Sequence, residues 1–488
     1  MSSKVTIRPL STGVPGLDDL LGGGLPEFSF NLIVGTPGSG KTTLAHQIMF
    51  SLAAPDCPAL FFTVLGEPTL KMLRYQQQFS FFDQSKINQS IRYVNLASDL
   101  LEGNFDRVMA RIAAELKEYD PSLVFVDSYR SLVQSVHSET RNESDLQRFV
   151  QHLGMEMSSW QATSFLIGEY QGDADESSPV FTVADGILRL TQNTHRNSMV
   201  RKMQVAKIRG QAQKPGLHTF RITDAGVHVF PRAIVQMPLQ EMTGASKGRI
   251  SMGVPGLDEM LGGGLPAGYS LLVAGPSGSG KTILATAFLA EGVRCGEPGV
   301  IAAFEKSPNQ LLNNSLHKMA SAGQVGVIDT RALDLSIDET LHDIIRMIDR
   351  MQAKRIVIDS LSGFELALAP EFSEDFQGSL YRMVAELTSK GVTILMTSEL
   401  DCYSDLYFTQ KGSAFLADAI LVQRYVEIDG QYRRVFAIVK IRGSDHCKDI
   451  RLFEITDQGM VIGDSLPGYD GIMTGYPTRK CLPSGERA

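Results

Sequence analysis

Short, continuous apolar runs recur along the chain, separated by longer amphipathic stretches. Strands buried on both faces of a parallel sheet are apolar throughout, so these runs favour such strands over half-exposed ones. With helices between the strands, the pattern predicts an α/β fold in each half, a mostly parallel sheet flanked by helices. The runs are FSFNLIVG (28–35), ALFFTVL (59–65), LVFVD (123–127), SFLIGE (164–169), YSLLVAG (269–275), GVIAAF (299–304), RIVID (355–359) and TILMTSE (393–399).

The second half of the chain repeats the first. STGVPGLDDLLGGGLP at 11–26 matches SMGVPGLDEMLGGGLP at 251–266, and the same offset aligns GTPGSGKTT at 35–43 with GPSGSGKTI at 275–283. Later pairs include VAKIRG with IVKIRG and FRITDAGVHV with FEITDQGMVI. The repeating unit is therefore a whole domain rather than a short solenoid module.

These matches set the predicted domain boundaries. We predict a first domain at 1–232, a linker at 233–246, a second domain at 247–465 and a carboxyl-terminal tail at 466–488. The linker contains the polar, glycine-containing segment EMTGASKG. The tail is rich in Pro and Gly, so we expect order there only where it docks.

Composition narrows the class of protein. The 488 residues are 43% hydrophobic with a formal net charge of −8, so nucleic acid is not an expected partner. The five cysteines form no Cys-x-x-Cys pair, so the sequence predicts neither a zinc site nor a disulfide framework. The start MSSKVTIRPL has no apolar signal core, and no apolar run approaches the ~20 residues of a membrane span. We therefore expect a cytoplasmic protein without a membrane segment.

Two glycine-rich loops carry the clearest chemistry. Both 35–42 and 275–282 fit G-x-x-x-x-G-K-[ST], and each lies between an apolar run and a helix-compatible stretch. Glycines let several backbone N–H groups converge on one phosphate, and the helix that follows adds its positive end. The predicted nucleotide-binding residues are Thr36, Pro37, Gly38, Ser39, Gly40, Lys41, Thr42 and Thr43, and Pro276, Ser277, Gly278, Ser279, Gly280, Lys281, Thr282 and Ile283.

Metal ligands are predicted from the same loops and from later strand ends. Lys41 and Lys281 are expected to reach the β- and γ-phosphates of ATP. The hydroxyls of Thr42 and Thr282 are candidate ligands of Mg²⁺. Asp127 and Asp359 end apolar runs, where P-loop ATPases place a second carboxylate on the magnesium side. Glu305 is a further candidate metal ligand in the second domain.

The chain resembles the family of the circadian-clock ATPase and kinase KaiC and its bacterial KaiC-like relatives. The features that carry this resemblance are GVPGLD, LGGGLP, the two phosphate loops and the two KIRG segments. The resemblance spans roughly residues 5–465. It implies two RecA-like domains per chain, stacked as two rings of a homohexamer, with ATP bound between subunits. A KaiB-like or signalling protein is then an expected partner.

The resemblance also assigns residues outside the phosphate loops. It implies that one subunit extends cations from KIRG toward the phosphates held by the next subunit. A cation supplied in this way stabilises charge during phosphoryl transfer. The residues implied to contact nucleotide are Lys207, Ile208, Arg209 and Asp224 in the first domain, and Lys440, Ile441 and Arg442 in the second.

The chain departs from the family at the catalytic carboxylates. The family has two adjacent glutamates after the second strand, where a carboxylate can activate water. The second domain has Glu305 followed by Lys306, and the first has Leu65 and Gly66 with Glu67 one step beyond. We predict Glu305 and Glu67 as the catalytic residues.

Three interpretations of the first domain stay open. Glu67 can act as the base after a local backbone shift, which Gly66 would permit. The domain can instead bind ATP and hydrolyse it very slowly. Alternatively Glu169, at the end of SFLIGE, takes the catalytic role.

The resemblance implies that the second domain phosphorylates itself, but the residues at the usual phosphorylation positions have no hydroxyl group. The two aligned positions are Ala414 and Phe415, while Ser413 and Thr409 lie nearby. Four hypotheses follow: a nucleotide-gated ATPase switch, a serine/threonine autokinase, a RecA-type protein that binds single-stranded DNA, and an ATP-stabilised scaffold with weak turnover. Ala414 and Phe415 disfavour the second, and the acidic charge disfavours the third.

Overall fold

The chain divides into two compact units, Met1–Arg232 and Ala233–Ala488. A computed structural model describes most of both units, and every structural statement below concerns the residues that it describes. They are 7–63, 69–101, 105–128, 152–157, 159, 161–169, 179–195, 198–233, 248–304, 314–329, 336–368, 372, 376–400, 416–457, 459–474 and 477–480.

A nine-stranded sheet lies at the centre of the first unit, in the order β11-β10-β9-β8-β3-β7-β6-β4-β5. Strands β3 to β8 run parallel, and β9, β10 and β11 continue the sheet as antiparallel neighbours. The strands are β3 (Phe30–Gly35), β4 (Ala59–Thr63), β5 (Ile91–Asn95), β6 (Leu123–Asp127), β7 (Thr163–Glu169), β8 (Gly186–His195), β9 (Ser198–Ile208), β10 (His218–Thr223) and β11 (Gly226–Phe230), with a separate ladder of β1 (Pro9–Leu10) and β2 (Leu25–Pro26).

Helices cover both faces of this sheet. Ile33 on β3 packs on one face with Leu44, whereas Leu32 packs on the other face with Val108. The helices are α1 (Leu17–Leu21), α2 (Lys41–Leu52), α3 (Thr69–Gln76), α4 (Ala97–Leu101), α5 (Phe105–Tyr119) and α6 (Pro179–Val183). Because successive strand residues face opposite sides and both sides are buried, the strand sequences are continuously apolar.

The second unit repeats this arrangement with the strand order β16-β15-β17-β18-β14-β19-β20-β21-β22. Strands β14 to β19 are parallel and β20 to β22 are antiparallel. The strands are β12 (Arg249–Ile250), β13 (Leu265–Pro266), β14 (Ser270–Gly275), β15 (Gly299–Ala303), β16 (Val325–Asp329), β17 (Arg355–Asp359), β18 (Thr393–Glu399), β19 (Ala419–Ile428), β20 (Gln431–Ile441), β21 (Arg451–Thr456) and β22 (Gly459–Ser465).

Helices also cover both faces of the second sheet. Val273 packs with Leu284 on one side, and Leu272 packs with Ile344 on the other. The helices are α7 (Pro255–Met260), α8 (Lys281–Arg294), α9 (Asn314–Ser321), α10 (Ile337–Met351), α11 (Leu361–Ala367) and α12 (Phe376–Ser389). The predicted fold class, two tandem RecA-like domains with mostly parallel sheets flanked by helices, is confirmed.

The chain beyond the second sheet forms a small hairpin. Its strands are β23 (Tyr469–Asp470) and β24 (Thr478–Arg479). Ile472, between them, is buried in an apolar cluster with Val426 and Val435 of the second sheet. This part of the predicted tail therefore packs against the second domain.

Candidate functional site

Each glycine-rich loop connects the central strand of its sheet to the helix that follows. Gly40 and Gly280 precede helices α2 and α8 with positive φ angles of 98° and 106°. A Cβ at Gly40 would lie 2.5 Å from Ile222 Cδ1, and one at Gly280 would lie 2.9 Å from Ile455 Cδ1. The positive φ angles therefore favour glycine at both positions, and a larger residue would also displace an isoleucine methyl group.

The lysines that follow these glycines are largely buried. Lys41 Nζ donates to the carbonyl oxygen of Thr36 over 2.8 Å. Lys281 Nζ donates to the carbonyl oxygens of Gly275 and Pro276 over 2.8 and 2.9 Å. Burial lowers the pKa of Lys41, although nearby carboxylates oppose this effect. Each ammonium group is thus held within its own loop, where it can meet a phosphate.

The predicted threonine–aspartate pairs are in hydrogen-bond contact. Thr42 Oγ1 donates to Asp127 Oδ2 over 2.8 Å, and Thr282 Oγ1 donates to Asp359 Oδ2 over 2.9 Å. Both aspartates end a parallel strand next to the loop and are nearly buried. A hydroxyl and a carboxylate oxygen side by side form a donor set of the kind that Mg²⁺ prefers.

The two aspartates differ in their other neighbours. Asp359 also accepts a hydrogen bond from the hydroxyl of Thr397 on β18. In the first domain the residue paired with Asp127 on β7 is Ile167, which has no hydroxyl. Burial raises the pKa of Asp127 to about 6, and the hydrogen bond from Thr42 only partly opposes this rise.

A glutamate lies beside the first glycine of each loop. Glu169 pairs with Gly35, and Glu399 pairs with Gly275 in the same register. Glu169 is close enough to Lys41 to raise its pKa against the effect of burial. Sequence reasoning considered Glu169 only as an alternative base and missed Glu399, although the end of the matching apolar run signals it.

The cations of the two KIRG segments lie away from the loop of their own domain. Lys207 pairs with Ile187, which is level with Leu32 near the start of β3, whereas the loop follows the end of that strand. Arg209 forms an ion pair with Asp185 at 3.0 Å. The structure therefore does not bring Lys207 and Arg209 to the phosphate loop of the first domain.

The second domain repeats this placement. Lys440 pairs with Ile420, which is level with Leu272 near the start of β14. Arg442 forms an ion pair with Asp418 at 3.5 Å. Burial is the main cause that lowers the pKa of Lys440, as it is for Lys207. Ile208 and Ile441 lie between these cations at the ends of β9 and β20.

Asp224 lies in the hairpin between β10 and β11. Its carbonyl oxygen accepts a hydrogen bond from Ser80 N over 2.8 Å. Ile222, two residues earlier, packs against Gly40 at the start of helix α2. The hairpin that carries Asp224 is therefore next to the loop, unlike the KIRG segment.

Comparison with known families identifies the family to which both halves of the chain are similar. The family model of the KaiC ATPase matches residues 10–234 and 250–466. The chain belongs to the KaiC ATPase family. Each matched segment contains one of the two glycine-rich loops.

Similar proteins cover nearly the whole chain. The circadian clock oscillator protein KaiC of Picosynechococcus sp. is 29% identical over 488 residues, which is 97% of this chain and 93% of the relative. KaiC of Prochlorococcus marinus is 29% identical over 503 residues, covering 100% of this chain and 98% of that protein. KaiC of Thermosynechococcus vestitus is 28% identical over 499 residues, covering 98% and 93%.

Several predicted residues of this KaiC-family chain lie outside the described residues. They are the candidate bases Glu67 and Glu305 with their neighbours Leu65, Gly66 and Lys306, and the candidate phosphorylation region with Thr409, Ser413, Ala414 and Phe415. Within the described part of the chain, no helix has both the length and the apolar character needed to cross a membrane.

Proposed function

We propose that this KaiC-family ATPase is a Mg²⁺-dependent, nucleotide-gated switch that assembles as a hexamer. The observation that carries the proposal is the repeated lysine, threonine and aspartate constellation at the two loops. Thr42 meets Asp127 and Thr282 meets Asp359 at nearly equal distances, 2.8 and 2.9 Å. Two matching nucleotide sites in one chain suit a protein whose shape depends on which sites are filled.

Magnesium fits the oxygen donors of both sites. Thr42 and Asp127 would hold it in the first domain, and Thr282 and Asp359 in the second, with Glu305 as a further proposed ligand. When bound, Mg²⁺ supplies positive charge to the phosphates. Lys41 and Lys281 bind the same phosphates from the loop side, and the loop N–H groups orient them.

The base that activates water is a proposal for each domain. Glu67 and Glu305 are the first candidates because they follow the second strand of the parallel sheet. In the first domain Glu169 is the alternative, since it acts electrostatically on both Lys41 and Asp127. Glu399 has the matching register position in the second domain.

The position of the KIRG cations supports the proposed assembly of several copies of the chain. Lys207 and Arg209 are at the opposite end of the sheet from their own loop, as are Lys440 and Arg442. Their proposed role on phosphate therefore needs a second copy of the chain, which brings them to the neighbour's nucleotide. The number six comes from the resemblance to KaiC.

The proposed output of the switch is docking of a KaiB-like or other signalling protein. The relatives are named circadian clock oscillator proteins. Autophosphorylation on serine or threonine is a second candidate activity, motivated by the closeness of Ser413 and Thr409 to the aligned positions. If intact-mass spectrometry after long incubation with Mg-ATP detects no added phosphate, the autokinase is ruled out.

The test of the ATPase assignment compares turnover in five proteins. These are the wild type, Glu67→Gln, Glu305→Gln, Lys41→Ala and Lys281→Ala. We expect each lysine variant to remove one domain's turnover, and each glutamine variant to slow one domain by about 10²-fold. Unchanged turnover in both glutamine variants would overturn the base assignments and point to Glu169.

Two further candidates make different predictions in the same assays. An ATP-stabilised scaffold binds nucleotide but shows no turnover that any glutamate variant reduces. A RecA-type DNA protein binds single-stranded DNA with an affinity that falls steeply with salt. The net charge of −8 argues against the DNA-binding candidate.

A further inference from the structure

Two serines have matching places in the phosphate loops but different surroundings. Ser39 and Ser279 each precede the last glycine of the loop and are 0% and 1% exposed. Ser39 N donates to the carbonyl oxygen of Thr36, and Ser279 N to that of Pro276, both over 3.2 Å. The loop backbones are therefore alike, and the difference lies in what each hydroxyl contacts.

In the second domain the hydroxyl is tied to the sheet. Ser279 Oγ donates to Gln423 Oε1 over 2.9 Å, and both side chains are buried. Gln423 follows Val422, which pairs with Ala274 on the strand that enters the loop. A Cβ on Gly275 would lie 2.9 Å from Ser279 Oγ and 3.0 Å from Gln423 Cβ. Gln423 thus joins the middle of the loop to the strand beside it.

In the first domain the side chain at the corresponding position cannot accept a hydrogen bond. Leu190 pairs with Gly35, where the loop begins, and is completely buried. Ser39 Oγ has no hydrogen-bond partner within the described part of the chain. A buried hydroxyl without a partner is unfavourable, so this loop lacks a contact that the second loop has.

We propose that Gln423 is a positioning residue that holds the second phosphate loop in its nucleotide-binding shape before nucleotide arrives. The first loop, beside Leu190, takes up that shape without this hydrogen bond. The inference rests on the proposed binding of Mg-ATP at both loops. A loop ordered in advance loses less conformational freedom on binding, so Gln423 makes the second site the tighter one.

The test uses the full chain with nucleotide binding at one loop removed by substitution of its lysine. In a Lys41→Ala background, a fluorescent ATP analogue with Mg²⁺ reports on the second domain. Gln423→Met keeps a long, unbranched side chain but removes the acceptor, and we expect the Kd to rise about fivefold. Ser279→Ala should raise it by a similar factor. The double variant should bind no worse than either single variant, because both remove one interaction.

The reverse change tests the first domain. In a Lys281→Ala background, Leu190→Gln supplies the missing acceptor to Ser39, and we expect the Kd to fall about fivefold. Turnover should show the same changes in KM rather than in kcat, which a general loss of folding would not produce. Thermal unfolding of every variant checks that the fold is intact.

The outcomes separate this inference from the function on which it rests. If the variant that combines Lys41→Ala and Lys281→Ala still binds the ATP analogue as tightly as the wild type, the proposal of nucleotide binding at these loops is overturned. If the lysines prove essential but Gln423→Met binds normally, only the positioning role is wrong. Additive effects of Gln423→Met and Ser279→Ala would equally contradict it, since they would show that the two side chains act separately.

Discussion

Behind the phosphate loop the first domain has Ile167 and Leu190, whereas the second has Thr397 and Gln423. Thr397 donates to Asp359, and Gln423 accepts from Ser279. The two domains therefore share the lysine, threonine and aspartate of the loop region, but the side chains behind these residues differ. At these two positions the first domain has apolar side chains, whereas the second has side chains that form hydrogen bonds with the loop and its aspartate.

This difference shows that a repeated motif does not make two equal sites. Beside Leu190, Ser39 Oγ has no hydrogen-bond partner within the described residues. Asp127, beside Ile167, has its pKa raised to about 6, mainly by burial. We infer that the second site is more ordered before nucleotide binds and that the first depends more on its ligand.

The largest expected effect tests what the domains share. Lys41→Ala or Lys281→Ala removes the buried ammonium that we propose binds phosphate, and we expect nucleotide affinity of that domain to fall on the order of 10³-fold. Equilibrium binding of nucleotide, resolved into two classes of site, measures the change. Lys202→Ala, on β9 outside the loop, is the control. Equal small losses from all three variants would refute the shared phosphate role.

The next effect concerns how a central strand is anchored. Strand β17 begins with Arg355, which is 2% exposed, whereas the matching strand β6 begins with Leu123. Arg355 Nε meets Glu297 Oε2 at 3.0 Å, and its Nη1 donates to the carbonyl oxygens of Ser251 and Phe288. Arg355→Ala leaves these groups unpaired, and we expect a loss of about 3 kcal/mol in the free energy of unfolding.

Chemical denaturation, with hydrogen exchange used to monitor the second domain, measures that loss. Arg346→Ala is the matched control, because Arg346 pairs with Asp343 on the exposed surface of helix α10. Surface ion pairs contribute less than about 1 kcal/mol, so the control should change little. A similar loss in both variants would show that burial of Arg355 is not the cause.

A smaller effect should follow from exchanging the neighbours of the aspartates. Thr397→Val removes the donor to Asp359, and such outer partners of metal ligands typically change metal affinity by about tenfold. We therefore expect the Mg²⁺ concentration for half-maximal turnover of the second domain to rise by that factor. Ile167→Thr should lower it in the first domain. Steady-state turnover across a Mg²⁺ series, in Lys41→Ala or Lys281→Ala backgrounds, measures both.

Val273→Ile, in the core of the second domain, is the control for a change in packing alone. If Thr397→Val alters turnover at saturating Mg²⁺ but not the half-maximal concentration, the hydroxyl acts elsewhere. A fall in metal affinity for Ile167→Thr would contradict the comparison directly. In that case the apolar neighbour, rather than the hydrogen bond, would be the better support for the aspartate.

The sequence was sufficient for the fold, whereas the role of the loop residues toward phosphate stays a prediction. Lys41, Thr42 and Asp127 lie in local motifs whose chemistry depends on residue type and spacing, and the repeat identified their partners in the second domain. Continuous apolar runs predicted the parallel strands, because burial on both faces leaves that pattern.

The supporting residues depend on strand register, which local sequence does not specify. Gln423 lies beside the second loop only because β19 pairs with β14 in one particular register. Ile167 and Thr397 differ in the same way, since their importance appears only when each lies beside an aspartate. Likewise, the structure was needed to show that Lys207 lies far along the sheet from its own loop.

The smallest effect concerns stability in acid. The strand after the KIRG segment begins with a buried histidine in the first domain but not in the second. His218 Nδ1 accepts from Arg232 N over 2.8 Å, so Nε2 donates to the carbonyl oxygen of Lys214. Burial lowers the pKa of His218 from its usual 6.5. As pH falls below about 6.5, the unfolded state binds the proton first, and we expect the free energy of unfolding of the first domain to decrease.

Hydrogen exchange of residues 218–223 at pH 5.5 and 7.5, corrected for intrinsic rates, measures this loss. The matched segment 451–456 begins with Arg451 and should lose no stability through this mechanism. His218→Gln, which cannot take up a proton, should remove the pH dependence at 218–223 while lowering stability at both pH values. Persistence of the acid effect in His218→Gln would assign it to other groups, such as the carboxylates that both domains share.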